Sequence, residues 1–280
     1  MSPLPLPPAW SGALPKATPP AEMTLHQLPT GTYVTRAAFA FRGGKFRDKR
    51  DFASTAVLVQ HPEGDLLIDA GFSSEVADHI KLLPRFVQSP FTQRGTVDEQ
   101  LTAAGYDRSR LQGVVVTHSH WDHVSGVSDL SLPIWMNEGE LQYAAKDSDG
   151  KVFREISPGH RIRHYDFPGP AYLGFPSSYD VYGDGSVVIA LAGGHTTGSV
   201  IVFVTLPTGN RYAFIGDLAW QLDALRLRVD RPLMLRLLAD TDPKLVRQGL
   251  LRMLALTDRM QIVPSHDVSA YDGIPLLTAH

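Results

Sequence analysis

The 280-residue sequence contains no cysteine. A chain without thiols excludes disulfide frameworks, cysteine nucleophiles and thiolate metal sites, so any bound metal must be held by histidine, aspartate or glutamate. The sequence also lacks an excess of charge of either sign, because 26 basic residues stand against 29 acidic ones and the net charge is -3. This balance disfavours a nucleic-acid partner, which would need a basic surface.

Long hydrophobic runs are missing as well. No segment approaches the roughly eighteen uninterrupted apolar residues of a membrane-spanning helix, so we expect no membrane partner. The first twenty residues contain seven prolines, which break both a helix and the apolar core of a signal peptide. We expect an extended arm over residues 1–22 and a single domain over residues 23–280. We expect a cytoplasmic location, and a periplasmic or secreted one stays open. A homodimer also stays open, because the arm could pack on a second subunit.

Short strand-like runs alternate with helical patterns after the arm. Residues 54–60 and 65–71 are β-type runs joined by His-Pro-Glu-Gly, which has the composition of a hairpin turn. The valine-rich run at residues 112–117 predicts a buried strand. Residues 242–258 predict a helix that starts with Asp242 as its N-cap. Strands outnumber helices, which favours an α+β fold with a sheet-on-sheet core and helices outside.

The segment over residues 218–240 is rich in leucine and arginine and is interrupted by Pro232. Surface helices that cover the core would have this composition. A lid over a functional site would have it too. Both interpretations stay open at the level of sequence.

The most informative segment is Thr-His-Ser-His-Trp-Asp-His at residues 117–123, directly after the valine run. His118 and His120 are two apart on an extended chain, so their side chains point to the same side and can bind one ion. A turn after His120 then lets Asp122 and His123 face a second ion nearby. The spacing therefore predicts a metal centre where a buried strand ends.

Three further polar residues each end an apolar run later in the chain. His195 lies in a glycine-flanked turn, and Asp217 and His266 follow two other strand-like runs. Strand ends are where a sheet presents ligands. A ligand set of nitrogen and oxygen suits zinc, and it also suits iron, manganese or cobalt. Zinc is the expected metal.

In this order, the motifs resemble those of the metallo-β-lactamase superfamily of αββα metallohydrolases. The resemblance covers roughly residues 55–270 and includes Asp69 in Leu-Ile-Asp-Ala-Gly. It implies a four-layer αββα sandwich with two divalent ions, and Asp69 is implied to orient one ligand. The implied ligands are His118, His120 and His195 for the first ion, Asp122, His123 and His266 for the second, and Asp217 as the bridge.

The implied chemistry is metal-assisted hydrolysis, in which a metal-bridging hydroxide attacks a carbonyl. Asp122 and Asp217 are the catalytic candidates, and Asp122 is the candidate for moving a proton to the leaving group. Two divalent cations bring four positive charges, of which two aspartates and a hydroxide cancel three. The remaining charge attracts an anionic transition state. The sequence has no Gly-x-Ser-x-Gly nucleophile elbow that would suggest a serine hydrolase.

Subfamily features narrow the substrate. Within the superfamily, Asp217 argues against a dedicated β-lactamase, and the short segment after His266 argues against a glyoxalase II type of enzyme. The chain most resembles the N-acyl-homoserine-lactonase-like group, which implies that it hydrolyses a small-molecule lactone or related ester. A phosphodiester or phosphotriester hydrolase and a promiscuous β-lactam hydrolase remain alternatives. A binding protein that had only inherited the fold would be expected to have lost some of the ligands.

Overall fold

The computed structural model describes residues 3–85 and 87–279. Met1, Ser2 and His280, which end the predicted arm and domain, lie outside the described residues, as does Phe86. The strands are β1 (Thr24–Arg36), β2 (Lys49–Gln60), β3 (Asp65–Ile68), β4 (Phe91–Gln93), β5 (Leu111–Val115), β6 (Ile134–Met136), β7 (Ile162–His164), β8 (Ser178–Asp180), β9 (Val187–Leu191), β10 (Val200–Thr205), β11 (Arg211–Phe214) and β12 (Gln261–Val263). The helices are α1 (Ala37–Ala40), α2 (Val76–Lys81), α3 (Val97–Ala103), α4 (Trp121–Val124), α5 (Glu138–Lys146), α6 (Lys151–Ile156), α7 (Leu222–Arg226), α8 (Leu233–Ala239) and α9 (Pro243–Leu256).

The chain divides into two compact units, each built from three segments of sequence. We call them the HxHxDH unit and the Asp217 unit after the motifs that they contain. The HxHxDH unit comprises Glu22–Tyr33, Ala53–Tyr165 and Tyr271–His280. The Asp217 unit comprises Met1–Ala21, Val34–Phe52 and Asp166–Ala270.

The sheet that contains most of the HxHxDH unit's strands has the order β4-β1-β2-β3-β5-β6-β7. β2 and β3 are antiparallel and joined by residues 61–64, so the predicted hairpin is confirmed. From β3 to β7 the strands run parallel. Parallel strands are buried on both faces, which explains why residues 66–68 of β3 and 114–115 of β5 are consecutive apolar residues rather than alternating ones.

The core of the HxHxDH unit lies between this sheet and its helices. Leu67 and Val114 contribute from neighbouring strands, while Leu101 from α3 and Phe153 from α6 contribute from the helices, and all four are at most 3 % exposed. Packing of this kind fixes the backbone at the ends of β3 and β5 to within small displacements. The loops that follow those strands therefore begin at fixed backbone positions.

One stabilising feature of this unit can be tested separately from the site. Helix α3 begins with a capping box, in which Glu99 N donates to Thr96 Oγ1 (3.1 Å) and Thr96 N donates to Glu99 Oε2 (2.8 Å). Thr96→Ala is expected to lower the free energy of unfolding by about 1 kcal/mol, because one backbone donor loses its acceptor. Chemical denaturation measures this difference. Thr92→Ala, at an exposed position of β4 in the same unit, is the control, and an equal loss in both variants would contradict the capping assignment.

The Asp217 unit contains a second sheet with the order β12-β11-β10-β9-β8. β11 and β12 are parallel, and the other neighbouring pairs are antiparallel. Every residue of β10 is buried. Helix α9 begins at Pro243 with Asp242 as its N-cap, as predicted, and Asp242 Oδ1 accepts from Lys244 N at 2.8 Å.

The proline-rich N-terminal segment runs along the Asp217 unit without helix or strand over residues 3–20. Leu4 N donates to Arg228 O (2.6 Å), Trp10 N donates to Ala255 O (2.8 Å), and Arg211 Nη2 donates to Pro15 O (2.9 Å). These three bonds anchor the beginning, middle and end of the segment. That residues 23–280 behave as a single domain stays a prediction.

Residues 218–240 contain two short helices, α7 and α8, as the surface-helix interpretation expects. Helix α8 buries none of its residues. Four of its apolar side chains are 64–70 % exposed: Leu233, Met234, Leu237 and Leu238. The lid interpretation stays a prediction. Within the part of the chain that the structure describes, no helix has the length and apolarity needed to cross a membrane.

Candidate metal centre

The predicted ligands of the HxHxDH unit lie at the end of β5. The neighbouring strands β3, β5 and β6 are parallel, so their carboxyl ends meet at one edge of the sheet. At that edge Asp69 follows β3, Thr117 and His118 follow β5, and Asn137 follows β6. This is the edge at which parallel sheets commonly place their functional groups.

Three imidazole rings cluster in this loop. The ring centroid of His118 is 4.5 Å from that of His120 and 4.0 Å from that of His123. His118 and His123 are buried, and the His120 side chain is 12 % exposed. Burying several imidazoles this close together suits cation binding, since each neutral ring offers one nitrogen lone pair.

Asp69 holds His123 in place. It accepts from Thr117 N (2.7 Å), from Thr117 Oγ1 (2.9 Å) and from His123 Nδ1 (2.8 Å). An Nδ1–H that donates to a carboxylate leaves the lone pair on Nε2, which is the arrangement that orients metal-binding histidines. Asp69 also has a φ of 55°, a conformation that costs backbone strain in a residue other than glycine. The orienting contact that the resemblance implied for Asp69 is therefore present.

Asp122 is held by two residues that the sequence analysis did not single out. The Tyr33 hydroxyl donates to Asp122 Oδ2 (2.8 Å), and Ser54 Oγ donates to the Asp122 carbonyl (3.0 Å). Trp121 stacks on Phe72, with ring centroids 5.6 Å apart and an angle of 15° between the planes. Trp121, inside the motif, thus packs on Phe72, and the phenol of Tyr33 fixes one carboxylate oxygen of Asp122.

Helix α5 supports the loop from the other side. Ser119 donates from both N (2.7 Å) and Oγ (2.6 Å) to Oε1 of the buried Glu140. His120 Nε2 lies 3.0 Å from the Tyr143 hydroxyl. Burial raises the pKa of Tyr143, so its phenol stays protonated at neutral pH. A neutral His120 that donates from Nε2 to this oxygen keeps its lone pair on Nδ1.

The Asp217 unit brings together the other three predicted ligands. Asp217 lies between two histidines, with Oδ2 3.4 Å from His195 Nε2 and Oδ1 3.0 Å from His266 Nε2. All three side chains are at most 6 % exposed. Each carboxylate oxygen therefore faces a different imidazole.

His195 is positioned by backbone and by a second carboxylate. It follows Gly193 and Gly194, whose φ values of 62° and 93° make the tight turn after β9. His195 Nδ1 donates to Asp240 Oδ1 (3.1 Å). Burial disfavours the charged imidazole, but hydrogen bonds to Asp217 and Asp240 outweigh it and raise the pKa of His195. Carboxylates that favour a proton at this ring also favour a metal cation in its place.

Two more residues of the Asp217 unit bond to Asp217 and to the His195 partner Asp240. Trp220 Nε1 donates to Asp217 Oδ2 (2.6 Å), and Arg231 Nη1 donates to Asp240 Oδ1 (2.8 Å). His266 stacks on Phe52 with 5.2 Å between ring centroids. The sequence predicts only surface helices or a lid for residues 218–240 and does not indicate these roles. The only local sign of these roles in the sequence is that polar side chains stand among the leucines of this segment.

The donor sets fit divalent cations. They consist of imidazole nitrogens and carboxylate oxygens, and one histidine in each unit donates its Nδ1–H to a carboxylate, which is typical of metal-binding histidines. Two groups of histidine and aspartate side chains among the described residues could each hold a metal ion. Such sites supply Lewis-acid chemistry to hydrolases.

Comparisons with known proteins agree with this interpretation. The model of the Metallo-beta-lactamase superfamily matches residues 50–266. An N-acyl homoserine lactonase AttM of Rhizobium johnstonii is 25% identical over 224 residues, which are 76% of this chain and 81% of that protein. A probable metallo-hydrolase of Mycobacterium tuberculosis is 25% identical over 240 residues, or 77% of this chain and 74% of the relative.

Solved structures show the same fold at lower identity. An N-acyl homoserine lactone hydrolase with N-hexanoyl-L-homoserine at its catalytic metal centre aligns with a TM-score of 0.70 at 18% identity, over 90% of this chain and 96% of that one. AidC, a dizinc quorum-quenching lactonase, aligns with a TM-score of 0.57 at 17% identity, over 90% of each chain. The α+β fold expected from the sequence is thereby confirmed. The chain is a metallohydrolase that belongs to the metallo-β-lactamase superfamily.

Proposed function

We propose that this protein is a dinuclear metal hydrolase of lactones, with an N-acyl-homoserine lactone or a related ester as its substrate. The observation that carries the proposal is the position of Asp217 between His195 and His266, with one carboxylate oxygen toward each imidazole. A carboxylate in that position can be shared by two cations. The names of the relatives supply the substrate class, since several are N-acyl homoserine lactonases.

The proposed ligand assignment follows the sequence analysis. Asp217 is the bridge, and the sets for the two ions are His118, His120 and His195, and Asp122, His123 and His266. The hydrogen bonds of His123 to Asp69 and of His195 to Asp240 support it, because each leaves Nε2 as the nitrogen that can bind a cation. Zinc is the proposed metal, and the same donors would accept iron, manganese or cobalt.

When bound, two divalent cations lower the pKa of water and polarise a carbonyl oxygen, which is the chemistry that ester hydrolysis needs. The residues of this chain supply orientation and proton transfer. Asp122 is the proposed proton carrier, and the Tyr33 hydroxyl bonded to its Oδ2 restricts the carboxylate to one orientation. A carboxylate held in one orientation is suited to pass a proton to the leaving alkoxide of an opened lactone.

A panel of substrates tests the proposal. Purified protein is analysed for metal content and assayed with N-hexanoyl-homoserine lactone, a chromogenic β-lactam and bis-nitrophenyl phosphate. We expect two metal ions per chain and the highest kcat/KM with the lactone. Fast phosphodiester turnover without lactone turnover would contradict the substrate class. Protein that remains inert after zinc is restored would contradict the enzymatic function.

A pair of histidine variants tests the ligand assignment. His120→Ala is expected to abolish hydrolysis and lower the metal content while the protein stays folded. His164→Ala is the matched control, because its side chain is 52 % exposed and lies outside both proposed ligand sets. Full activity in His120→Ala would show that the assignment for the first ion is wrong.

A further inference from the structure

Five residues of the Asp217 unit form a closed ring of contacts. His195 Nε2 lies 3.4 Å from Asp217 Oδ2, which accepts from Trp220 Nε1 at 2.6 Å. The guanidinium carbon of Arg231 lies 4.5 Å from the centroid of the Trp220 indole. Arg231 Nη1 donates to Asp240 Oδ1 (2.8 Å), and His195 Nδ1 donates to the same oxygen (3.1 Å), which closes the ring. Two members of the ring are proposed metal ligands, and the other three come from residues 218–240.

We propose that Arg231 is a positioning residue for the metal centre. It fixes Trp220 and Asp240, and through them the two ligands Asp217 and His195, so that it sets the affinity of the site for its ions. The inference rests on the proposed metal site and adds a residue that touches neither the ions nor the substrate.

Arg231 holds the carboxylate of Asp240 in place. The Asp240 side chain is fully buried and its Oδ1 accepts from both Arg231 and His195. The guanidinium of Arg231 therefore fixes the position of the same carboxylate oxygen that accepts from His195. Arg231 therefore keeps Asp240 able to hold the Nδ1–H of His195, which turns the Nε2 lone pair toward the ligand position.

The shape of Arg231 is needed at Trp220. A planar guanidinium can lie over an indole and still donate to a carboxylate at its edge, whereas the compact ammonium of lysine cannot do both equally well. The stacked Trp220 donates from Nε1 to Asp217 Oδ2, the oxygen that faces His195. One side chain thus restrains the partners of both ligands.

The arrangement is costly, which argues against a purely structural role. The Arg231 side chain is 3 % exposed, and its Nε and Nη2 have no hydrogen-bond partner among the described residues. A buried ion pair is often less stable than well-packed apolar side chains of similar volume.

A second buried carboxylate of the same unit is also paired with arginine, but among the described residues it bonds to no partner of a proposed ligand. Asp230 adjoins Arg231 in sequence, and its buried carboxylate pairs with Arg236 (3.2 Å) and Arg247 (2.5 Å). These bonds tie α8 to α9. The same unit therefore contains buried carboxylate–arginine pairs of two kinds, and the Asp240 pair is the one that includes the partner of a proposed ligand.

The test is metal affinity of the metal-free protein, measured as the zinc dissociation constant in competition with a chelator. Arg231→Met is expected to raise this constant about tenfold to a hundredfold, the range seen when the partner of a ligand is lost. Arg231→Lys keeps the charge and is expected to recover part of the affinity. The matched control is Arg110→Met, which removes the arginine from the buried Asp65 of the other unit and is expected to leave the zinc constant within about twofold.

A second variant covers the case in which Arg231→Met fails to fold. Trp220→Phe keeps an aromatic ring under the guanidinium and removes only the donor to Asp217, so it is expected to fold and to bind zinc several-fold more weakly. The absorption spectrum of the cobalt-loaded protein should change in both variants and stay unchanged in Arg110→Met. Wild-type zinc affinity in folded Arg231→Met, or in Trp220→Phe if the first is unfolded, would overturn the inference alone. A wild-type protein without zinc affinity would overturn the proposed function together with it.

Discussion

Asp217→Ala is expected to lower kcat/KM for the lactone by about three orders of magnitude or more, because metal ions supply several kcal/mol of transition-state stabilisation. The substitution removes both oxygens that face His195 and His266, and it removes the acceptor of Trp220. Metal content should fall below two ions per chain. Steady-state kinetics and elemental analysis measure the two effects.

Two further variants sharpen this result. Asp217→Asn keeps the size of the side chain and removes the negative charge, so it should lose nearly as much activity as Asp217→Ala. Asp258→Ala is the matched control, since Asp258 is an exposed aspartate of the same unit. An Asp217→Asn variant with two ions and wild-type kinetics would mean that no bridging charge is needed.

Asp240→Ala is expected to lower the free energy of unfolding by about 3–5 kcal/mol, because it leaves the buried guanidinium of Arg231 without its carboxylate. It should also weaken zinc binding about tenfold to a hundredfold, since His195 loses the acceptor of its Nδ1–H. Chemical denaturation of the metal-free protein measures the first effect. Chelator competition measures the second.

The double variant Asp240→Ala/Arg231→Met distinguishes the two effects. Removing both charges is expected to restore part of the stability lost in Asp240→Ala, because no uncompensated charge remains buried. Zinc affinity should stay low, since His195 still lacks its acceptor. A double variant whose loss of stability equals the sum of the single losses would mean that the two side chains do not interact.

The candidate ligands were predictable because the signal for each is local. His118, Asp217 and His266 each end an apolar run, and a run of buried β-type residues can be recognised without knowing its neighbours. Helix α9 was predictable in the same way, since Asp242 and Pro243 mark its start to the residue. By contrast, no pattern in the sequence predicts β1, which spans thirteen residues with a proline inside and polar residues throughout.

The supporting residues could not be predicted because their roles depend on contacts between distant parts of the chain. Tyr33 meets Asp122 across 89 residues of sequence, and His195 meets Asp240 across 45. Nothing near Tyr33 in the sequence distinguishes it from any other tyrosine in a strand. Only tertiary structure shows which tyrosine or aspartate lies behind which ligand.

The closed ring in the Asp217 unit has a consequence for how the sequence can change. A chain that loses the carboxylate of Asp240 retains a buried charge at Arg231, and a chain that loses Arg231 retains a buried carboxylate. Either single step is expected to be more harmful than both steps together. Positions 231 and 240 should therefore change together among homologous proteins. The exposed leucines of α8, which lie between them, should change independently of each other.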